Sequence, residues 1–501
     1  MAKIKKKEAL SLERKIKQAF VPVDEQPYDV PENWCWVKLG QISDVKGGKR
    51  LPKGEALSDE VTAHPYIRVT DMKNGTIDME DIKYVSDNVF GVIRNYTISN
   101  SDVYISVAGS IGKIGIIPDI LDGAILTENA AKITNIIGTD NIFLKYYLHS
   151  EIAQLQMKES TISSTQPKLA LFRIKDISVA LPPLAEQQRI VKKIEKLFAE
   201  LEEARKKLEE ALGEIDKRTE IVLHNFFTAK YISDSCSDAV EQMLKEIFTY
   251  REQMISRREI QRAKVAPVRE QDKLKCIPQN WKQVKLGEIA FVTKLSGFEY
   301  AKYIRLQEEG EIPVVRAQNV RKGYLNLNNV LYIDKKTSEL LERSALKKKS
   351  LLITFVGAGI GDVCVFDKPE RYHLAPNVAK IELFGNNLLN TDYIQYYLLS
   401  DVGQKEIFKS MKATVQPSLS MEAIRDIVIP IPELSIQNQI AEYISGIKEK
   451  ELKEKSLIKN TLSQIELIKK SILTKAFRGE LGTNNPDEES AVVLLKSILS
   501  E

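Results

Sequence analysis

"STQPKLALFRIKDISVALPPLAEQQRI" spans Ser164–Ile190, and "TVQPSLSMEAIRDIVIPIPELSIQNQI" spans Thr414–Ile440. Laid over one another, they place Gln166 on Gln416, Pro167 on Pro417, Asp176 on Asp426 and Gln187 on Gln437. The echo runs outward from there. "PENWCWVKLGQI" (Pro31–Ile42) returns as "PQNWKQVKLGEI" (Pro278–Ile289), and "PYIRVTDM" (Pro65–Met72) returns as "PVVRAQNV" (Pro313–Val320). "ENAAKI" (Glu128–Ile133) returns as "PNVAKI" (Pro376–Ile381), and "VPVDEQ" (Val21–Gln26) as "APVREQ" (Ala266–Gln271). A period of roughly 250 residues is far longer than a solenoid repeat, so the chain carries a duplicated domain.

Each copy has two parts. The first is rich in short β-type runs broken by turns, such as "SDVYISVAGSIGKIGIIP" and "SLLITFVGAGIGDVCVF". It also holds helical tracts, "TDNIFLKYYLHSEIAQLQMK" and "NTDYIQYYLLSDVGQKEIFK". The second part changes period after a proline pair. Apolar residues then fall at Ile190, Ile194, Leu197, Leu201, Ala204, Leu208, Ala211, Ile215 and Val222, a 4-3 spacing interrupted by Arg218. The later copy repeats it at Ile440, Ile444, Ile447, Ile458, Ile465, Ile468 and Ile472, with Glu451 and Glu454 where the first copy has Leu201 and Ala204. This is a coiled-coil pattern. The expected fold is α+β: two tandem-repeated globular domains separated by two long helices that pair antiparallel, with pseudo-twofold symmetry. The alternative is that each helix packs only on its own domain.

Catalytic patterns do not assemble. "FVGAGIGDVCVF" has three spaced glycines, but a β-type run follows them where a phosphate-binding loop needs a helix. "GSIGKIG" lacks the Ser/Thr and the earlier glycine of a P-loop. The four histidines and four cysteines show no metal-ligand spacing and no disulfide framework, so no metal is expected. There is neither a signal-peptide core nor a long apolar span, so a cytoplasmic location is expected.

The net charge of +4 permits nucleic-acid binding without requiring it, so placement has to decide. Residues 31–183 hold 16 Lys and Arg against 18 acids; residues 278–433 hold 21 against 18. In the first copy the candidate DNA contacts are Lys46, Lys49, Arg50, Lys53, Arg68, Thr70, Lys73, Lys113, Gln166 and Lys168. In the second they are Lys294, Tyr300, Lys302, Arg316, Gln318, Asn319, Arg321, Lys322 and Gln416. Such loops combine cations for phosphates with Arg, Asn and Gln for base edges. Positions identical in both copies (Arg68/Arg316, Lys132/Lys380, Gln166/Gln416) cannot distinguish two half-sites, so scaffold or phosphate roles are expected for them. Divergent loops, 46–62 against 294–310 and 70–76 against 318–324, are expected to read bases.

"STQPKLALFRIKDISVALPPLAEQQRIV" and its copy, with "PENWCWVKLGQI", "PYIRVTDM" and "SILTKAFRGEL" (Ser471–Leu481), resemble specificity subunits of Type I restriction-modification enzymes. The resemblance runs through nearly the whole chain, twice. It implies two target-recognition domains that each read half of a bipartite asymmetric site in double-stranded DNA, and paired helices that space them. It further implies two methyltransferase subunits docked on the helices and restriction-translocase subunits attached through these. No cofactor is then expected on this chain; S-adenosylmethionine, ATP and Mg belong to the partners. The expected organisation is a basic segment 1–30, recognition domain 31–183, spacer helix 184–230, charged linker 231–277, recognition domain 278–433, spacer helix 434–481 and tail 482–501. The first helix departs from the family ending, with "IVLHNFFTAKY" in place of "SILTKAFRGEL". Competing readings are an enzyme with an unrecognised catalytic site and a coiled-coil scaffold that does not bind DNA.

Overall fold

The strongest echoes in the sequence are partners in space. In the computed structural model, strand Cys35–Lys38 of "PENWCWVKLG" pairs antiparallel with strand Ser178–Leu181 of the opening stretch, Trp36 facing Ala180. Lys282–Lys285 pairs with Val428–Ile431 in the same way. Each ribbon fastens the beginning of a domain to its end, immediately before a long helix. The structure describes residues 17–161, 167–228, 237–275, 277–278, 280–385, 387–409, 411 and 418–500. It divides into two compact units, one of residues 1–208 with 459–501 and one of residues 209–458.

The units share one plan. Unit 1 has a four-stranded antiparallel sheet in the order Asp44–Gly47, Ala130–Thr134, Val103–Ser106, Ile114–Gly115. Unit 2 repeats it with Ala290–Lys294, Val378–Leu383, Ser350–Thr354 and Val363–Phe366. A second small sheet in each contains one parallel pair, Pro65–Ile67 with Ile125–Leu126 and Ile312–Val315 with Tyr372–Leu374. Tight hairpins follow: Met72–Lys73 with Thr76–Ile77, and Val320–Arg321 with Tyr324–Leu325. Asn74 and Gly75 turn the first with positive φ, as such a two-residue hairpin demands. The two helical tracts each split, into Asn141–His149 and Glu151–Glu159, and into Thr391–Leu399 and Asp401–Lys409. Ser150 and Ser400, both in extended conformation, make the breaks.

The long helices are continuous, Leu184–Phe226 of 43 residues and Leu434–Phe477 of 44, each about 65 Å long. They pair antiparallel within each unit. In unit 1, Lys469 reaches Glu202 at 3.6 Å. In unit 2, Arg218 meets Glu454 at 3.2 Å, Lys455 meets Asp216, Thr219 donates to Glu451, and Phe226 lies edge-on to Tyr443 at 5.3 Å. Ile190, Ile194, Ile215, Ile440, Ile444 and Ile465 are buried, while Leu197, Leu201, Leu208, Val222, Ile447, Ile458 and Ile472 are half-buried. Two seam assignments are corrected: Ala204 faces solvent and Ile468 is 45% exposed. A two-helix pair covers only a narrow stripe, and a 3.6-residue turn carries a strict heptad progressively off it. Glu451 does belong to the stripe at 5% exposure, with Thr219 as its donor.

Each helix also ends in a core. Leu473, Ala476 and Phe477 join the core of unit 1, and Phe477 contacts Phe143 at 5.5 Å and Tyr147 at 5.1 Å edge-on. Leu223 and Phe227 occupy the matching place in unit 2, against Tyr393 at 5.5 Å and Tyr397 at 5.3 Å. The sequence departure at the first helix end therefore leaves this contact intact. Beyond the helix ends, the segment 231–277, whose conformation the sequence leaves open, contains helix Ser237–Ser256, with Val240 and Ile247 in the core of unit 2. Helix Ala491–Ser500 places Ala491 and Leu495 in the core of unit 1.

One core residue makes unit 2 acid-sensitive. His373 is fully buried, its Nδ1 3.1 Å from Ser338 Oγ. Burial, helped by nearby Arg371 and Lys380, pushes its pKa down to about 4. Between pH 6.5 and 4 the unfolded chain takes up a proton that the folded chain refuses. Stability is therefore full above pH 6.5 and falls by about 3 kcal/mol across that window. Urea midpoints measured from pH 7 to 4 should show this slope, and His373→Gln should remove it.

Candidate nucleic-acid interface

In unit 2, four of the candidate residues meet in one place. Tyr300 on helix Gly297–Tyr303, Arg316 and Gln318 in the turn after strand Ile312–Val315, and Arg321 on the following hairpin line a cleft of about 550 Å³. Ala358, Gly359 and Asn377 are among its other lining residues. The turn between Ser350–Thr354 and Val363–Phe366 thus supplies a wall of the cleft, as well as being the strand connection that its glycines predict. The Gly323 N–H donates to Val363 at 2.8 Å, tying the hairpin to that sheet. Arg316 donates from Nη2 to the Asn329 carbonyl at 2.7 Å, and its Nε is buried with no partner among the described residues. Lys294 lies over the Phe355 ring, and Lys302 over Phe298 and Tyr303. Lys322 is exposed on the hairpin turn.

Asn319 departs from the expectation. It is 1% exposed, accepts from the Arg316 N–H at 2.9 Å and donates to the Asn326 carbonyl at 2.8 Å. Its amide is consumed in closing the turn, so it has nothing to offer a base. Asp71 does the same work in unit 1, accepting from the Arg68 N–H at 2.7 Å.

The matching surface of unit 1 is electrically quieter. The Arg68 guanidinium bonds both oxygens of Asp71, at 2.6 and 3.1 Å, and Asp81 at 3.1 Å. Lys83 and Arg68 together hold the Asp81 carboxyl below its usual range. Asp71 is 4% exposed, so this pair is built into the turn and Arg68 is scaffold. Arg50 pairs with Glu128 at 2.8 Å and Lys73 with Asp78 at 2.6 Å. Those are exposed pairs of little net worth, which a phosphate could replace. Lys113 donates to the Val69 carbonyl at 2.9 Å, binding the 68–78 turn to the 106–114 hairpin. Lys46, Lys49, Lys53 and Thr70 are exposed, and Lys168 is exposed on a bridge to Ala108. Gly48 is pressed so closely on Thr127 and Leu126 that a Cβ would lie 2.1 Å from the Thr127 carbonyl, which fixes the path of the 46–53 loop. Gln166, Gln416 and Pro417 lie outside the described residues.

The identical lysines are structural. Lys132 pairs with Asp102 at 3.1 Å, and Lys380 with Glu382 at 3.0 Å and the Ala345 carbonyl at 2.8 Å. The repeated glutamines are structural too. Gln187 is fully buried, accepting from Thr139 and the Asp140 N–H and donating to the Pro182 and Gly138 carbonyls. Gln437 repeats this with the Asn390 N–H and the Pro432 carbonyl. Each fastens the first turn of a long helix to its domain.

The model of the family "Type I restriction modification DNA specificity domain" matches residues 31–210 and again 278–464, together well over half of the chain. The chain belongs to the Type I restriction-modification specificity subunits. The specificity subunit is 22% identical to the EcoBI specificity subunit of Escherichia coli, covering 94% of this chain and 93% of that one. It is likewise 22% identical to the MjaVIII specificity subunit of Methanocaldococcus jannaschii, over 91% and 95% of the two chains. The fold matches the crystal structure of the HsdS subunit from Thermoanaerobacter tengcongensis with a TM-score of 0.52 and 19% identity, covering 92% of this chain and all of that one. A structure described as the basis of complex assembly and conformational transition of the type I R-M system matches at 0.63 and 18%, over 91% of this chain and all of the other.

A specificity subunit is the non-catalytic member of its system. Among the described residues no group of three His, Cys, Asp or Glu could hold a metal, and no helix is long and apolar enough to cross a membrane. Cys35 and Cys364 are buried free thiols, both pushed up to about 12 by burial. The sequence reading of the specificity subunit missed Ala358, Gly359 and Asn377. The signal was there, because the glycine-rich turn and "PNVAKI" flank adjacent strands of one sheet.

Proposed function

We propose that each unit reads one half of a bipartite, asymmetric site in double-stranded DNA. The observation that carries this is the division of labour between repeated and divergent residues. Of the repeated residues, Arg68, Lys132, Lys380, Gln187 and Gln437 are spent on the scaffold and Arg316 stays in the cleft as a contact indifferent to sequence, while the exposed basic and polar side chains around it differ between the two surfaces. One chassis thus carries two different readers. In unit 2 the reader is the cleft of Tyr300, Arg316, Gln318 and Arg321, joined by Lys294, Lys302 and Lys322. In unit 1 it is the exposed set Lys46, Lys49, Arg50, Lys53, Thr70 and Lys73 with Lys168.

In this reading the paired helices set the separation of the half-sites. They also receive two methyltransferase subunits, for which exposed Leu452, Leu457 and Leu467 on the second helix offer apolar contacts. Restriction-translocase subunits attach through the methyltransferases. S-adenosylmethionine, ATP and Mg act on those partners, in the cytoplasm. The test is to map methylated adenines in cells expressing the whole system, with this chain intact and with seven residues inserted in each helix. Seven residues lengthen a helix by about 10 Å, or about three base pairs at 3.4 Å each. Both half-sites should persist with the spacer between them changed; an unchanged spacer would refute the role of the helices.

A further inference from the structure

Unit 2 holds a second cleft of about 1020 Å³, alongside the edge strand Ala290–Lys294. One wall is the chain that leaves helix Ser237–Ser256. That helix stops at Arg258, which adopts the left-handed conformation (φ 60°) while the Arg258 and Glu259 N–H groups donate to Ile255 and Met254. Glycine, or sometimes asparagine, is the easy residue at such a stop, and a long side chain there is strained. The turn nevertheless holds a guanidinium. Further along, the same chain is seated on Gly287, where a Cβ would lie 2.8 Å from both Val265 and Arg425. The wall is therefore packed onto the domain.

The lining carries ten Lys and Arg side chains against three glutamates. Five of the ten, Arg251, Arg258, Lys264, Lys294 and Arg425, form no ion pair among the described residues. Part of this concentration is particular to the second repeat. In the register set by the paired strands, Asn95, Ser99 and Asn100 stand where the second repeat has Arg343, Lys347 and Lys348. Lys294 belongs both to this cleft and to the start of the divergent loop 294–310, so the cationic lining continues from the reading surface.

We propose that this cleft is a phosphate track that holds the DNA backbone flanking the half-site read by unit 2. Its cations bind without regard to sequence, so they add affinity and salt dependence but no base preference. This inference rests on the DNA reading above.

The experiment uses the full chain assembled with its methyltransferase partner and a labelled random-sequence duplex of about four helical turns. Dissociation constants are measured across a salt series for the wild type and for a triple variant, Arg258→Gly, Lys264→Gln and Arg425→Gln. Arg258→Gly removes the charge while relieving the backbone, and Arg258→Lys alone keeps the charge. The slope of log affinity on log salt should fall by about 2.7, roughly 0.9 for each phosphate no longer neutralised. Low-salt affinity should fall roughly 10- to 100-fold, with the methylated target sequence unchanged and Arg258→Lys close to wild type. An unchanged slope in a wild type that binds would overturn the track while leaving the DNA reading intact. Failed partner assembly with an unchanged slope would mark the cleft as a seat for an acidic protein face, and would also overturn it. A wild-type complex with no salt-dependent affinity would overturn both proposals.

Discussion

Phe477→Ala should destabilise unit 1 by about 4 kcal/mol, the usual cost of removing a fully buried phenylalanine ring. The ring is 1% exposed and touches both Phe143 and Tyr147, while its own carbonyl accepts from Tyr28 Oη at 2.9 Å. Truncation leaves the two aromatic rings facing a cavity that neighbouring backbone, held in helices, cannot close. Phe227→Ala should strike unit 2 equally through Tyr393 and Tyr397. Hydrogen exchange with mass spectrometry reads the units separately: Phe477→Ala should raise exchange in residues 141–157 and leave 391–407 near wild type. Uniform exchange in both, or a destabilisation below about 1 kcal/mol, would contradict the packing described.

A fragment of residues 1–230 should be a dimer, and its recognised DNA should be symmetric. Alone, the fragment lacks Leu473, Ala476 and Phe477, which line the core of its domain. It carries Leu223 and Phe227, which fill the equivalent place in the second repeat. Two copies can therefore complete each other. The seam permits it as well, because Leu201 takes the position of Glu451 opposite Thr219. Light scattering should give twice the fragment mass, and Phe227→Ala should yield a monomer with a poorly ordered core. A well-folded monomer would show that the helix end is dispensable.

How much of this was legible in the sequence follows from what each residue does. The duplication, the long helices and the glycine turn at 357–361 could be read directly, because periodicity and turn chemistry are local. The splits at Ser150 and Ser400 were not, since a serine inside an amphipathic tract is equally acceptable in a continuous helix. Shared residues such as Gln187 announced themselves without announcing their role, which depends on carbonyls from Gly138 and Pro182 brought together only by folding. Asn319 has the residue type that reads adenine, yet its amide is turned inward, and composition cannot distinguish the two orientations. Arg68 and Arg316 are one letter in two copies, but acids at 71 and 81 neutralise the first alone. Phe227 was obscured because the residues after it diverge from those after Phe477.

The composition of unit 1 has a consequence for synthesis on the ribosome. Its first 208 residues leave the tunnel early, but its core is completed by residues 459–501. At synthesis rates of about 5–20 residues per second, the intervening 250 or so residues occupy on the order of tens of seconds. During that interval Phe143, Tyr147 and Trp34 lack the residues that finally cover them. The core of the nascent first domain is thus incomplete until the end of translation. A stop codon in the second half removes residues 459–501, so that a truncated chain can finish this core only by borrowing the helix end of a second copy.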